Sequence, residues 1–201
     1  GNETVVNGGV KSDLASKIVK DIKEKFNREC GTYICDVYYY EGDSPYTVCY
    51  ADFCIKHGMK TEKLADLSAF IKENGGLSQK LIVAKAPTEE LAEIHSYLSE
   101  NYGDQIVANS GAPTILEIVS VDYTKYTASK FIAETFGVKE EETVTIGDSS
   151  NDLTLIEFGT GCAVGDGSKE LIKEADYVAP PIVEMPVKDI IDKILNGEDL
   201  V

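Results

Sequence analysis

The chain has 201 residues, of which 43% are hydrophobic, and it carries a formal net charge of −16. This length suits one large domain or two small ones, and the apolar content suffices for a core, which argues against a disordered chain. The acidic charge argues against nucleic acid or anionic membranes as partners, and without a membrane-length apolar run or an opening signal peptide we predict a cytoplasmic protein.

The first half of the chain predicts a compact α+β unit. A short strand over 4–10 precedes a helix whose apolar residues recur at helical spacing up to Phe26. Two strand-like runs, 32–40 and 46–52, flank a turn at 41–45 and predict a β-hairpin. The remaining predicted elements are a helix over 62–74, a strand over 80–85, a helix from Thr88, and strands over 105–108 and 114–119.

The second half alternates helices and strands. The predicted elements are a helix over 126–136, a strand over 144–147, a helix containing Leu155 and Ile156, a small-residue strand over 161–165, a helix capped by Ser168, a strand over 177–179 and a helix over 187–195. This order is typical of a parallel sheet that helices cover on both faces.

An acidic loop follows the strand at 144–147. Asp148 and Asp152 lie four residues apart on one short turn, where two carboxylates repel each other unless a cation or basic group lies between them. Asn151 adds a neutral donor suited to a phosphate or substrate oxygen. The loop predicts a metal site for a hard cation, and the alternative is a structural loop in which Asp148 caps the following helix.

Lys125 is a second candidate, just before the predicted helix at 126–136. The helix dipole disfavours a cation at this end, so pairing with an active-site carboxylate or a phosphoryl group would explain the position, and a solvated surface lysine is the alternative. The Gly165–Ser168 turn either presents backbone N–H groups to an anion or is simply a turn and cap. His57 and His95 have no partner at a recognisable spacing.

Two clusters invite sharper interpretations. Four of the five cysteines form two Cys-x4-Cys pairs: Cys30, Cys35, Cys49 and Cys54. The spacing is looser than most structural zinc sites use, so we favour reduced thiols over a zinc-binding interaction domain. Tyrosines crowd the region of the predicted hairpin, at 38, 39, 40, 46 and 50. They suit a sheet face better than a base-stacking platform, because the chain is acidic.

Five motifs follow one another in the second half of the chain: Leu116-Glu117-Ile118, Thr124-Lys125, Ile146–Asp152, Gly161–Asp166 and Ala175–Val178. Together they resemble the carboxyl-terminal half of haloacid-dehalogenase-like (HAD) phosphatases of the Cof type. Asn7-Gly8-Gly9 resembles the turn where the family's core leads into its cap. The resemblance implies an α/β fold, with an incomplete Rossmann-like HAD core at 1–10 and 113–201 and an α+β cap domain at 11–112.

The resemblance also implies roles for individual residues. Asp148 resembles the carboxylate that binds the catalytic Mg²⁺. Asp152 resembles its supporting acid, which either binds the metal itself or holds a residue that does. Lys125 resembles the catalytic lysine that orients the nucleophilic aspartate and neutralises phosphoryl charge. Asn151 resembles a phosphate or substrate contact, and Asp166 a weaker one, since the family often has Asn there.

Two departures from the family pattern matter. Tyr126 stands directly after Lys125, where the family usually has glycine. The family's nucleophile, the first aspartate of an Asp-x-Asp-Gly-Thr motif, is absent from the 201 residues, and Cys35-Asp36-Val37-Tyr38 lacks the second acid. We therefore expect these residues to be an inactive fragment, and missing core strands would leave a sheet edge open to self-association.

For the full-length protein the resemblance implies a Mg²⁺-dependent phosphatase of small phosphorylated metabolites, sugar phosphates or similar compounds, acting through an aspartyl-phosphate. The alternative is a catalytically dead HAD-like binding or regulatory module that keeps the acidic loop and the cap. The residues encoded before Gly1 would separate the two.

Overall fold

A computed structural model describes residues 6–84, 87–112 and 114–200 of the chain. Internal contacts divide the chain into two compact units, one ending at Asp122 and one beginning at Tyr123. The division into a partial core at 1–10 and 113–201 and a cap at 11–112 stays a prediction. Among the described residues, no helix combines the length and apolar character that a membrane crossing requires.

The first unit is an α+β unit. Its helices are α1 (Ser12–Phe26), α2 (Pro45–Lys56), α3 (Leu67–Asn74) and α4 (Thr88–Tyr102). Its strands are β1 (Val10–Lys11), β2 (Gly31–Ile34), β3 (Val37–Glu41), β4 (Lys60–Leu64), β5 (Leu77–Ser78), β6 (Lys80–Ala84), β7 (Ile106–Ala112) and β8 (Ile115–Ser120). Six strands form one sheet in the order β4-β3-β2-β6-β8-β7, and β1 pairs with β5.

The six-stranded sheet buries side chains on both faces. Successive residues of a strand point to opposite faces. Leu81 and Val83 of β6 therefore pack in the large core that α1, α3 and α4 cover. Ile82, between them, packs in a smaller core with Tyr38 and the buried face of α2. The six-stranded sheet is therefore the layer between the two cores of this unit.

The strand predicted over 46–52 is wrong, because this segment is helical in α2. Ser44 accepts a hydrogen bond from the Thr47 N–H (3.2 Å), and Pro45 begins the helix, which are both helix-start signals. The buried residues of α2 recur every three or four positions: Thr47, Tyr50, Ala51 and Cys54. That spacing outweighs the β propensity of its aromatic and β-branched residues.

The hairpin turn also differs from the prediction of 41–45. β2 and β3 pair antiparallel with Ile34 opposite Val37, so the turn consists of Cys35 and Asp36 alone. Both turn residues have positive φ, 49° and 63°. A two-residue turn with positive φ at both positions is the type I′ form that matches strand twist. The prediction missed it because neither residue is the usual Asn or Gly.

Two predicted bounds are also wrong. The helix predicted over 62–74 begins at Leu67, because β4 pairs in parallel with β3 and Asp66 caps α3 by accepting the Ala69 N–H (2.9 Å). In the strand predicted over 4–10, residues 6–9 are not in a strand, whereas Val10 is. Residues 4 and 5 lie outside the described residues.

The second unit is a three-layer α/β arrangement. Its helices are α5 (Lys125–Phe136), α6 (Leu153–Ile156), α7 (Lys169–Glu174) and α8 (Pro186–Asn196). Its strands are β9 (Val144–Gly147), β10 (Thr160–Val164) and β11 (Tyr177–Ala179). All three strands are parallel, in the order β11-β10-β9, which confirms the predicted parallel sheet.

Helices cover both faces of this sheet, as predicted. Cys162 of β10 packs on one face against Ile190 of α8. Its neighbour Ala163 packs on the other face against Ile156 of α6 and Leu171 of α7. Because β9 ends at Gly147 and α6 begins at Leu153, only the five residues 148–152 connect the strand to the helix.

Candidate active site

The acidic loop begins where β9 ends. Gly147 is the last residue of β9, and the chain then passes through Asp148 and a short 3-10 helix, Ser150–Asp152, into α6. Polar side chains at the carboxyl end of a parallel strand are well placed to bind a ligand. The loop therefore lies where an α/β fold usually places its site.

Asp152 holds the loop together with both of its carboxylate oxygens. The residue is only 5% exposed. Its Oδ2 accepts the N–H groups of Asp148 (3.0 Å) and Ser149 (3.3 Å), while Oδ1 accepts from the Lys125 ammonium. A Cβ at Gly147 would lie 2.5 Å from the Cβ of Asp152, so only glycine leaves room for this carboxylate.

The charge of Asp152 follows from two opposing effects. Burial alone raises the pKa of its carboxyl group, because the ion loses solvation. The Lys125 ammonium and the N–H groups of Asp148 and Ser149 outweigh burial, so the pKa lies below its ordinary value. Asp152 is therefore a carboxylate at neutral pH and attracts Lys125.

Lys125 is the first residue of α5. Thr124 caps this helix by accepting the Thr127 N–H (3.3 Å). The Lys125 side chain is 46% exposed, and its Nζ donates to Asp152 and to Asn151 Oδ1 (3.4 Å). An ammonium carries three donors, so these contacts leave one N–H for a ligand. The ion pair also explains why a cation tolerates the start of a helix.

Asp148 differs from Asp152 in that its side chain is exposed. No described residue offers its carboxylate a hydrogen bond or an ion pair. Its backbone carbonyl accepts the Ser168 N–H (2.9 Å), and a Cβ at Gly167 would lie 2.7 Å from the same oxygen. The Gly165–Ser168 turn thus braces the backbone of Asp148 and leaves its carboxylate available.

These carboxylates fit a hard cation only in part. Asp148 offers free oxygens of the kind that Mg²⁺ prefers. Both oxygens of Asp152 already accept hydrogen bonds, which suits a residue that supports the loop. The described part of the chain contains no group of three His, Cys, Asp or Glu side chains that could hold a metal ion. Within this loop, the carboxylate of Asp148 is thus the one whose oxygens no described residue engages.

The structure also places the weaker candidates. Asp166 is exposed, and its Oδ1 accepts the Ile182 N–H (2.9 Å), so one of its oxygens holds a neighbouring turn. Tyr126, which departs from the glycine expected after Lys125, packs edge-on against the ring of Phe158 with the ring centroids 5.5 Å apart. His57 contacts the Phe53 carbonyl of its own helix (2.8 Å).

The four clustered cysteines lie in the first unit. Cys30 and Cys54 are buried, and burial raises the pKa of both thiols. Cys35 and Cys49 are exposed. A raised thiol pKa favours the protonated form, which is neither a nucleophile nor a metal ligand.

Ser149 was not singled out by its sequence. Its Oγ donates to Asn151 Oδ1 at 2.6 Å, so it contacts a candidate binding residue directly. A serine two positions before an asparagine carries no recognisable signal. Only the tight turn of the loop brings the two side chains together.

Comparison with known proteins identifies the relatives of this arrangement. The family of haloacid dehalogenase-like hydrolases matches residues 1–191. The chain is 31% identical over 100 residues to the 5-amino-6-(5-phospho-D-ribitylamino)uracil phosphatase YitU of Bacillus subtilis, covering 48% of this chain and 37% of the relative. It is 36% identical over 84 residues to a phosphoglycolate phosphatase of Archaeoglobus fulgidus, covering 41% and 36%.

The matches span just over a third of the length of these curated relatives. The solved structure of TM0651 from Thermotoga maritima is similar over 96% of this chain and 70% of that one, with a TM-score of 0.69 and 26% identity. Such matches confirm the predicted α/β fold class of a Rossmann-like core with a cap.

Proposed function

We propose that this protein, which belongs to the haloacid dehalogenase-like hydrolase family, acts as a Mg²⁺-dependent phosphatase of small phosphorylated metabolites. Membership confirms the Cof-type family that the motifs predicted. The observation that carries the proposal is the Lys125 ammonium, held by buried Asp152 and by Asn151. The two residues that hold this ammonium, Asn151 and Asp152, lie in the same loop as Asp148, whose carboxylate is free.

Lys125 would supply positive charge to a phosphoryl group. The chain carries a formal charge of −16, which repels an anionic substrate at long range. The Lys125 ammonium, which keeps one N–H for a ligand, would offset this repulsion locally. Its charge is already in position, so it would stabilise the charge that develops during the reaction without reorganisation. Asn151 would add a neutral donor to a phosphoryl oxygen.

Asp148 would hold the metal ion, and Asp152 would keep the loop and Lys125 in place. When bound, Mg²⁺ supplies a charge that polarises a phosphoryl oxygen and balances the negative charge of transfer. The available carboxylate of Asp148 supports this assignment, and the engaged oxygens of Asp152 support its positioning role.

The proposed reaction needs a nucleophile that the five-residue loop and Lys125 do not provide. The aspartyl-phosphate route needs an aspartate that attacks phosphorus, and the 201 residues contain no Asp-x-Asp-Gly-Thr motif. We therefore expect residues 1–201 alone not to turn over. The second candidate function is a catalytically dead binding or regulatory module of this family, in which no part of the complete protein supplies that aspartate.

The names of two relatives support the substrate class. One is a phosphatase of 5-amino-6-(5-phospho-D-ribitylamino)uracil and the other a phosphatase of phosphoglycolate. Both names describe small phosphorylated compounds. For this protein, small phosphorylated metabolites such as sugar phosphates are the corresponding proposal.

Phosphate release by the complete encoded protein tests the proposal. We expect release from a panel of small phosphorylated metabolites with MgCl2, and its loss on adding EDTA or in Asp148→Asn. If the complete protein releases no phosphate from any of them, the binding module is the better account. Robust Mg²⁺-dependent release by residues 1–201 alone, abolished in Asp148→Ala, would show the inactive-fragment expectation to be wrong.

A further inference from the structure

The side-chain amide of Asn151 is held by two groups on one atom. Its Oδ1 lies 2.6 Å from Ser149 Oγ and 3.4 Å from Lys125 Nζ. The three side chains come from one turn and the start of α5, all within the second unit. The two contacts together decide which way round the amide sits.

Lys125 fixes the identity of the facing atom. An ammonium carries only donors, so the atom facing it must be the amide oxygen and not the NH2 group. The Lys125 contact is long and its side chain is 46% exposed, so it holds the amide weakly by itself. The Ser149 hydroxyl makes the shorter contact to the same oxygen and is half-buried.

With Oδ1 engaged twice, the Nδ2 group is the free end of the amide. No described residue accepts a hydrogen bond from it. We propose that Ser149 is a positioning residue that orients the Asn151 amide so that both Nδ2–H donors are presented to an oxyanion. The oxyanion part rests on the proposed phosphatase function, and the orientation itself does not.

The neighbouring serine provides a matched control. Ser150 has the same side chain in the same loop, but its Oγ donates to Glu170 at 2.6 Å and not to Asn151. Ser150→Ala therefore makes the same chemical change without touching the amide. Ser149→Thr keeps the hydroxyl and should restore what Ser149→Ala loses.

Side-chain order measured by NMR tests the orientation without any ligand. In the complete protein, the Asn151 NH2 signals are the pair that disappears in Asn151→Asp. We expect their order parameter to fall from about 0.8 to below about 0.6 in Ser149→Ala, and to stay high in Ser149→Thr and Ser150→Ala. An unchanged order parameter in Ser149→Ala would overturn the proposal.

Titration with inorganic phosphate and MgCl2 tests the oxyanion part on the same variants. Ser149→Ala should bind about threefold to tenfold more weakly than wild type, the range for one neutral hydrogen bond, while Ser149→Thr and Ser150→Ala bind as wild type does. Order lost without a change in phosphate affinity overturns the oxyanion part. If Ser149→Ala lowers the order parameter but the wild-type protein binds no phosphate, the result supports the positioning role of Ser149 and contradicts the proposed phosphatase.

Discussion

Lys125 and Asp152 depend on each other unequally. The side chain of Asp152 is 7% exposed and that of Lys125 is 46% exposed. A buried carboxylate that loses its partner pays the cost of desolvation, while an exposed ammonium is readily solvated by water. The stability of the loop should therefore be sensitive to the lysine, even though the lysine itself lies partly in solvent.

Lys125→Met should lower the free energy of unfolding by about 1–2 kcal/mol. The value lies between those for surface and buried pairs, because Asp152 keeps its two backbone N–H partners. Urea unfolding measures it. Lys130→Met on the same helix is the control, since Lys130 is exposed and forms no ion pair with a described residue. Equal stability of the two variants would contradict this account of the pair.

Gly147→Ala should destabilise the second unit by about 1–3 kcal/mol. The added methyl group would lie 2.5 Å from the Cβ of Asp152 and force the loop to shift. Gly76→Ala is the matched control, because its nearest atom is Ile34 Cγ2 at 3.9 Å. Chemical unfolding of both variants decides the matter, and a neutral Gly147→Ala would mean that the loop is more adaptable than its geometry indicates.

At this scale, the sequence predicted the members of the site better than their contacts. Asp148, Asp152 and Lys125 are candidates because carboxylates on one turn and a cation at a helix start are unfavourable unless something pairs them. Asn151 is a candidate because it adds a neutral donor beside the carboxylates. The Lys125–Asp152 pair is present, and the catalytic and metal roles stay predictions. Ser149 was missed, because its contact depends on side-chain directions within one turn.

Among elements, the β2–β3 hairpin carries an unfavourable turn. Cys35 and Asp36 both adopt the left-handed region, which costs a residue such as cysteine roughly 1–2 kcal/mol and aspartate less. The double variant Cys35→Asn/Asp36→Gly should therefore raise the free energy of unfolding, by about 1 kcal/mol, because Asn-Gly suits a type I′ turn. Urea unfolding measures this. A double variant less stable than wild type would show that the Cys35 and Asp36 side chains stabilise the folded state by more than the strain of their backbone conformation costs.

Helices α1 and α4 are joined by one carboxylate. Asp21 Oδ2 accepts the hydroxyls of Tyr97 (2.8 Å) and Tyr102, and the ammonium groups of Lys17 and Lys25 lie over the two tyrosine rings. Burial alone raises the pKa of Asp21, but these hydroxyls and ammonium groups outweigh it and hold the pKa below its ordinary 3.8. Asp21 should therefore make the stability of the first unit depend on pH.

The sign of this dependence follows from the lowered pKa. The folded state favours the charged form, so the stabilisation is complete above the unfolded pKa of about 3.8 and is lost as the pH falls through the lower folded value. Wild type should exceed Asp21→Asn in stability near pH 6, and the difference should shrink below about pH 4. Urea unfolding across this range checks it. A difference that grows on acidification would contradict the direction of the shift.

Helices and strands were predicted correctly where the sequence pattern pointed to one kind of secondary structure. The parallel strands β9, β10 and β11 alternate with helices and were found from that order. α2 was missed because its aromatic and β-branched residues resemble a strand, although Pro45 and the spacing of its buried residues indicate a helix. β4 was missed because pairing with β3 decides its state, and no local pattern reports that pairing.

On the scale of the whole molecule, the candidate site residues all lie in the smaller of the two units. The four best candidate residues, Lys125, Asp148, Asn151 and Asp152, all belong to the unit that begins at Tyr123. The first unit has its own six-stranded sheet and two cores and contributes none of them. Substitutions of these four residues therefore change contacts that lie within the second unit.

The most direct test of the central claim compares phosphate release by two lysine variants of the complete encoded protein. With MgCl2 and its best phosphorylated substrate, kcat/KM should fall by about 100-fold or more in Lys125→Met, because preorganised charge at the phosphoryl group is lost. It should remain within about twofold of wild type in Lys130→Met. Equal kcat/KM in wild type and Lys125→Met would contradict the assignment of this loop as the active site.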